Sequence, residues 1–300
     1  MPVRLALAAL AAIVLGAAGC GGDEEARPDL AFVSTRDGDY AIFEMNADGG
    51  AQHRLTPREV GDITSPAKLF FQVSPVWSPD ATQIAFASRR SGSFDIYVMN
   101  ADGTGTRQLT SGKQDDSHPT WSPDGTRLAF ERDADIYLLN ADGSGAARIS
   151  DATAEEGEPA WSPDGEWITY VRRTPGTAVR ELWLMRADGT GRRALTSQNA
   201  TVATPAWSPD STRVVFASNE GGEIYELYTI GIDGKRLRSV APTASDNFEP
   251  SWSPDGQKIA YFEDGAIYAV ELGGGEIEKL TDSANNDSSP AWNPRPPPRD

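Results

Sequence analysis

Residues 159–165 read PAWSPDG, and near-copies run along the chain: PVWSPDA at 75–81, PTWSPDG at 119–125, PAWSPDS at 205–211 and PSWSPDG at 250–256. A sixth, PAWNPRP at 290–296, opens like the others and passes into a proline-rich tail. The tryptophans Trp77, Trp121, Trp161, Trp207, Trp252 and Trp292 are spaced by 44, 40, 46, 45 and 40 residues. Helical solenoids and β-propellers share periods of this size, so the pattern inside one repeat decides.

Within residues 119–150, PTW is a short apolar strand and SPDG a turn, with proline presetting φ and glycine tolerating positive φ. RLAFER alternates as a second strand, DADIYLLN forms a third, ADGSG supplies an Asp-Gly hairpin turn, and AARIS is a fourth. No helical periodicity is sustained, and the Pro and Gly spacing would break any helix. Four antiparallel strands in about 40 residues make a propeller blade.

Two further series count the blades. The second strand recurs as LAFVS at 30, IAFAS at 84, LAFER at 128, ITYVR at 168, VVFAS at 214 and IAYFE at 259. The hairpin after strand three recurs at 45, 99, 139, 185, 231 and 272. The first repeat lacks its PxW strand, whereas the last has only that strand. The spacing therefore predicts an all-β, six-bladed propeller. It is closed by pairing residues 290–292 with the strand at Leu30, which removes the open sheet edges.

The pattern PxWSPDG, IAF.S, IY.MNADG and LT resembles the repeat of TolB-type six-bladed propellers, a WD-repeat-like family, from Leu30 to Trp292. TolB-type proteins carry an α/β domain before the propeller; here about ten residues separate Cys20 from Leu30.

The first 20 residues, MPVRLALAALAAIVLGAAGC, resemble a bacterial lipoprotein signal: Arg4, an apolar run from Leu5 to Leu15, small residues, and the only cysteine. They depart from that class at Ala17, where leucine is usual. The expected organisation is a lipoprotein-type signal peptide at 1–19, lipidation of Cys20, a tether at 20–29, the propeller at 30–293 and a proline-rich tail at 294–300. The mature protein would be extracytoplasmic and anchored by acyl chains to the cytoplasmic or the outer membrane.

The formal net charge of -17 argues against nucleic acid as a partner. GxSxG, HExxH, P-loop and dinucleotide motifs are absent, and the two histidines, His53 and His118, fall in different blades. No catalytic residue is expected. The motif tryptophans read as interblade packing. Asp80, Asp124, Asp164, Asp210 and Asp255 read as turn acceptors.

Function in a propeller resides where the repeats differ. If the first strand is innermost, the residues before each PxW ring the channel mouth: Asp115, Asp116, His118, Glu155, Glu156, Glu158, Asp246, Glu249 and Asp287. This acidic ring reads in three ways: a solvated rim, a docking surface for a basic or hydrogen-bond-donating segment, or a cation site. The leading expectation is a non-catalytic propeller binding an envelope protein or peptide there, without a cofactor. The alternative is a propeller enzyme or glycan-binding module using a channel cation such as Ca²⁺. Two irregular segments stand out: residues 58–73, with Leu69, Phe70 and Phe71, and an extended hairpin after Arg172.

Overall fold

The structure is a computed structural model, and it describes residues 28–57, 72–151, 153–197, 200–220, 222–241 and 245–294. The signal sequence, Cys20, the apolar cluster Leu69–Phe71 and the tail from residue 295 lie outside the described residues.

Among the described residues, twenty-four strands form six antiparallel four-stranded sheets. Five sheets are contiguous in sequence. The remaining one, the first blade in chain order, joins Ser288–Trp292 to Leu30–Ser34, Ala41–Met45 and His53–Arg54, and the sixth is the sheet from Asn247 to Lys279. Leu30 faces Trp292 and Ala31 faces Ala291, so the closing strand is the expected one. No α-helix occurs among the described residues, and no helix there is long and apolar enough to cross a membrane.

The core lies between blades. Trp77, Trp121, Trp161, Trp207 and Trp252 are 5–7% exposed, and each packs against the blade before it. Trp207, for example, packs on Val171, Leu182 and Leu184, and Trp252 on Val215 and Leu227. The same rule crosses the seam: Leu30, Phe32 and Phe43 pack with Ala260, Ile267 and Ala269 of the last blade, beside Trp292. An indole fills this wedge because it buries a large area on a flat body. Trp207 Nε1 donates to Ala160 O at 2.9 Å and Trp77 Nε1 to Ala291 O at 3.2 Å, so these two interfaces are also hydrogen-bonded.

In each SPD turn one aspartate oxygen gathers the loop. Asp124 Oδ1 accepts from Ser122 Oγ, Thr126 N and Thr126 Oγ1, and these bonds hold its carboxyl down at about 2. Asp80 and Asp210 accept the same three bonds. Asp164 and Asp255 accept the serine and backbone bonds.

The inner strands start earlier than PxW. They run Gln72–Trp77, Asp116–Trp121, Glu155–Trp161, Val202–Trp207 and Asn247–Trp252, besides Ser288–Trp292. Each carries a bulge at the x-Pro pair, shown by register shifts such as Ser117 to Thr120 and Gly157 to Ala160. Proline has no N–H for the ladder, so pairing skips that pair and resumes at the residue before Trp.

Candidate functional site

The bulges build a ring. The residue before each proline has positive φ: Ser74 at 53°, His118 at 50°, Glu158 at 51°, Thr204 at 50°, Glu249 at 55° and Ser289 at 50°. None is glycine, so each pays about 1 kcal/mol or more for this conformation. All six line a channel of about 540 Å³ bounded by every inner strand. Below the ring the wall is proline and tryptophan, and Pro79, Pro123, Pro163 and Pro294 line it on the SPD side of the tryptophans.

The bulge also turns ring N–H groups out of their own ladder, and for four of the six a side chain of the preceding blade receives it. Thr204 N donates to Glu158 Oε2 at 2.5 Å, Glu249 N to Thr204 Oγ1 at 3.0 Å, and Ser289 N to Glu249 Oε2 at 2.7 Å. Glu158 N donates instead to Glu131 Oε2 at 3.0 Å, because the preceding ring residue is His118. The ring is thus a chain of interblade bonds, and its side chains are positioned by the neighbouring backbone.

His118 Nδ1 lies 3.3 Å from Glu131 Oε2 and 3.1 Å from Ser117 Oγ. Burial opposes its protonation, but Glu131, Glu158 and Glu249 outweigh burial and raise its pKa. Burial pushes Glu131 upward, yet the His118 contact, the Glu158 N–H and Arg180 bring it below the usual carboxylate value. Glu249 is raised, chiefly by burial, against the Ser289 bonds and His118. Arg180 Nη1 reaches Glu158 Oε1 at 3.0 Å from the extended hairpin. Glu131 and Arg180 escaped the sequence reading. Glu131 has one sequence trace, Gly157, where a Cβ would stand 2.6 Å from Glu131 Cδ.

Three of the nine ring candidates, His118, Glu158 and Glu249, line the channel. Three others are buried and paired with arginines of their own blade. Asp116, 1% exposed, receives Arg132 Nε and Nη2 at 2.6 and 2.7 Å. Glu156 receives Arg192 Nη1 at 3.0 Å, with Arg172 at 3.8 Å. Asp287 receives Arg36 Nη2 at 2.8 Å. The bulge explains the split: plain alternation would put residues two apart on one face, but the bulge turns the residue before the proline to the channel and leaves the residue three before it on the sheet, beside Arg132, Arg172 or Arg36 at or near the end of strand two. Those arginines lie over the strand-two and strand-three aromatics, as Arg132 does over Phe130 and Tyr137.

Asp115 and Asp246 accept the Phe94 and Tyr225 N–H groups at 2.9 and 2.8 Å. Glu155, 59% exposed, pairs with Arg173 at 2.9 Å. Among the described residues no three His, Cys, Asp or Glu side chains are placed to share one metal ion.

Six four-stranded sheets around a shared channel, closed by a strand from the other end of the chain, define a six-bladed β-propeller whose polar face is set by one residue per blade. The TolB beta propeller domain matches residues 68–199 and again 158–296. The chain belongs to that family.

A stretch of 39 residues, 13% of the chain, is 59% identical to the Tol-Pal system protein TolB of Gluconobacter oxydans (strain 621H), and it spans 9% of that protein. TolB from Acinetobacter baumannii superposes with a TM-score of 0.74 at 20% identity, over 89% of this chain and 67% of the other. The putative TolB from Agrobacterium tumefaciens does so with 0.64 at 18% identity, over 89% and 98%. At these identities the structural likeness is one of fold.

Proposed function

We propose that this chain is a non-catalytic, extracytoplasmic propeller, lipid-anchored through Cys20, that binds a protein or peptide of the cell envelope at the channel mouth formed by His118, Glu158 and Glu249. The observation that carries the reading is the strained ring. Six non-glycine residues hold positive φ at one position, and the side chains that differ among blades all face the same opening. Backbone strain repeated around a cavity is a mark of a working surface. The wall beneath offers proline and tryptophan to an inserted side chain, while the rim offers carboxylates to a donor. Family membership agrees with a binding role, since the curated relative is named as part of a Tol-Pal system.

The test is capture from envelope extract. Glu158→Gln with Glu249→Gln keeps an acceptor oxygen for Thr204 and Ser289 while removing both charges. Loss of the captured partner with an unchanged melting temperature supports this mouth. Equal capture by the variant and the parent chain rules it out. A chain that labels with palmitate, and a Cys20→Ser variant that does not, would support the anchor.

A further inference from the structure

We propose that the chain forms a two-fold homodimer through the outer edges of the fifth and sixth blades. Among the described residues three large apolar side chains stand exposed: Ile224, Leu237 and Ile277. Two of them occupy the same place in successive blades. Tyr228 faces Ser239 and Tyr268 faces Lys279, so counting back two residues makes Leu237 and Ile277 equivalent. The corresponding residues of the other blades, each just ahead of its outer strand, are Gln52, Thr106, Ala146 and Arg192. None of these is a large apolar side chain.

The flanking charges are opposite. Leu237, 38% exposed, lies between Arg236 and Arg238, with Lys235 beside them. Ile277, 41% exposed, lies between Glu276 and Glu278. All of these side chains are exposed. Neither Arg236 nor Arg238 makes an ion pair among the described residues, and Glu278 has only a 3.7 Å contact with half-exposed Lys258. A triple cationic run is conspicuous in a chain of net charge -17.

The edges are also the most developed of the six. The outer strands of the first four blades are two residues long, whereas Arg238–Ala241 has four and Ile277–Lys279 has three. An outer strand presents unpaired backbone groups, and a charged edge repels its like and attracts its opposite. Because the two blades are neighbours, a two-fold axis between them sets Arg-Leu-Arg of each copy against Glu-Ile-Glu of the other. One contact then contains both pairings, and the surface is complementary to itself.

Sedimentation equilibrium of the full chain tests this, with circular dichroism confirming that each variant is folded. The parent chain should be dimeric and should dissociate as salt rises. Arg236→Glu with Arg238→Glu should raise the dissociation constant at least about a hundredfold, and Glu276→Arg with Glu278→Arg should do the same. Mixing these two monomeric variants should restore a dimer, because each mismatched edge then meets its opposite. Leu237→Ser with Ile277→Ser should weaken the dimer without changing its salt dependence. A parent chain that stays monomeric overturns the proposal, as does a dimer indifferent to either reversal, or a mixture that fails to associate.

Discussion

Removing residues 290–300 should unfold the propeller, and the structure sets the size of the effect. The truncation deletes Pro290, Ala291 and Trp292, the end of the strand that closes the ring. It removes the pairing of Leu30 with Trp292 and of Ala31 with Ala291. It also removes the bonds from Trp292 N to Ser251 Oγ at 3.0 Å and from Asn293 N to Asp29 O at 2.7 Å. Trp77 Nε1, buried, loses its acceptor on Ala291. Four or five net hydrogen bonds at about 1 kcal/mol each, with an added penalty for any polar group left buried, come to about 5–7 kcal/mol. Loss of the Trp292 packing against Leu30 and Ala260 adds about 2–3 kcal/mol. The total rivals the whole stability of an ordinary domain, about 5–15 kcal/mol.

The control is deletion of residues 296–300 alone. It leaves every bond named above in place, so its melting temperature should stay within a degree or two of the parent. Thermal unfolding followed by circular dichroism compares the two, with tryptophan emission as a second probe. The reasoning fails if both truncations melt at the same temperature, because the closing strand would then contribute nothing to ring stability.

Asp116→Ala should cost about 2–3 kcal/mol, since it removes two charge-assisted bonds to the half-buried Arg132 guanidinium. Glu155→Ala, at an exposed pair, should change stability by less than about 0.5 kcal/mol. A chemical denaturation series separates the two cases. The His118 imidazole should titrate above its ordinary value of about 6.5, as read by its ring proton shifts. Because the folded value is the higher one, its stabilisation is complete below about 6.5 and fades as pH rises through the folded pKa. Glu131 runs the other way: its contribution is present above about 4.3 and is lost as pH falls through its lowered folded pKa. Gly157→Ala should drive the Glu131 carboxylate from beneath His118 and lower the His118 pKa; an unchanged titration would show that Glu131 does not hold that charge.

The fold was legible because its signals are local and repeated. Proline, aspartate and glycine fix each SPD turn, and the apolar positions of LAFVS and its copies set one buried strand per blade. The closing strand was legible from arithmetic, since the first blade lacked what the last had to spare. The site was less legible. Asp116 and His118 are two residues apart and look alike as polar rim residues, yet one is sealed under Arg132 and the other faces the channel. The bulge decides this, and its trigger, the x-Pro pair, is visible in every repeat. What stays hidden is the partner supplied from another strand: Glu131 lies in the LAFER series and reads there as an edge charge.

The two kinds of acidic residue also differ in how freely they can change. Asp116 and Asp287 each neutralise a half-buried arginine packed on aromatic rings, and Glu156 neutralises half-buried Arg192 beside Arg172, so an isolated change at any of them leaves a partly buried cation without its carboxylate. The ring positions obey a weaker demand. Glu158, Thr204 and Glu249 each supply an acceptor to the next blade's N–H, and after His118 the strand-two Glu131 supplies it instead. Hydroxyl and carboxylate are interchangeable for that purpose, and the proline fixes the backbone whichever is present. The ring can therefore vary its charge from blade to blade at little structural cost, while the buried carboxylates cannot. That asymmetry, more than the acidity of the mouth as a whole, makes His118, Glu158 and Glu249 the positions where a ligand preference could be written without unmaking the propeller.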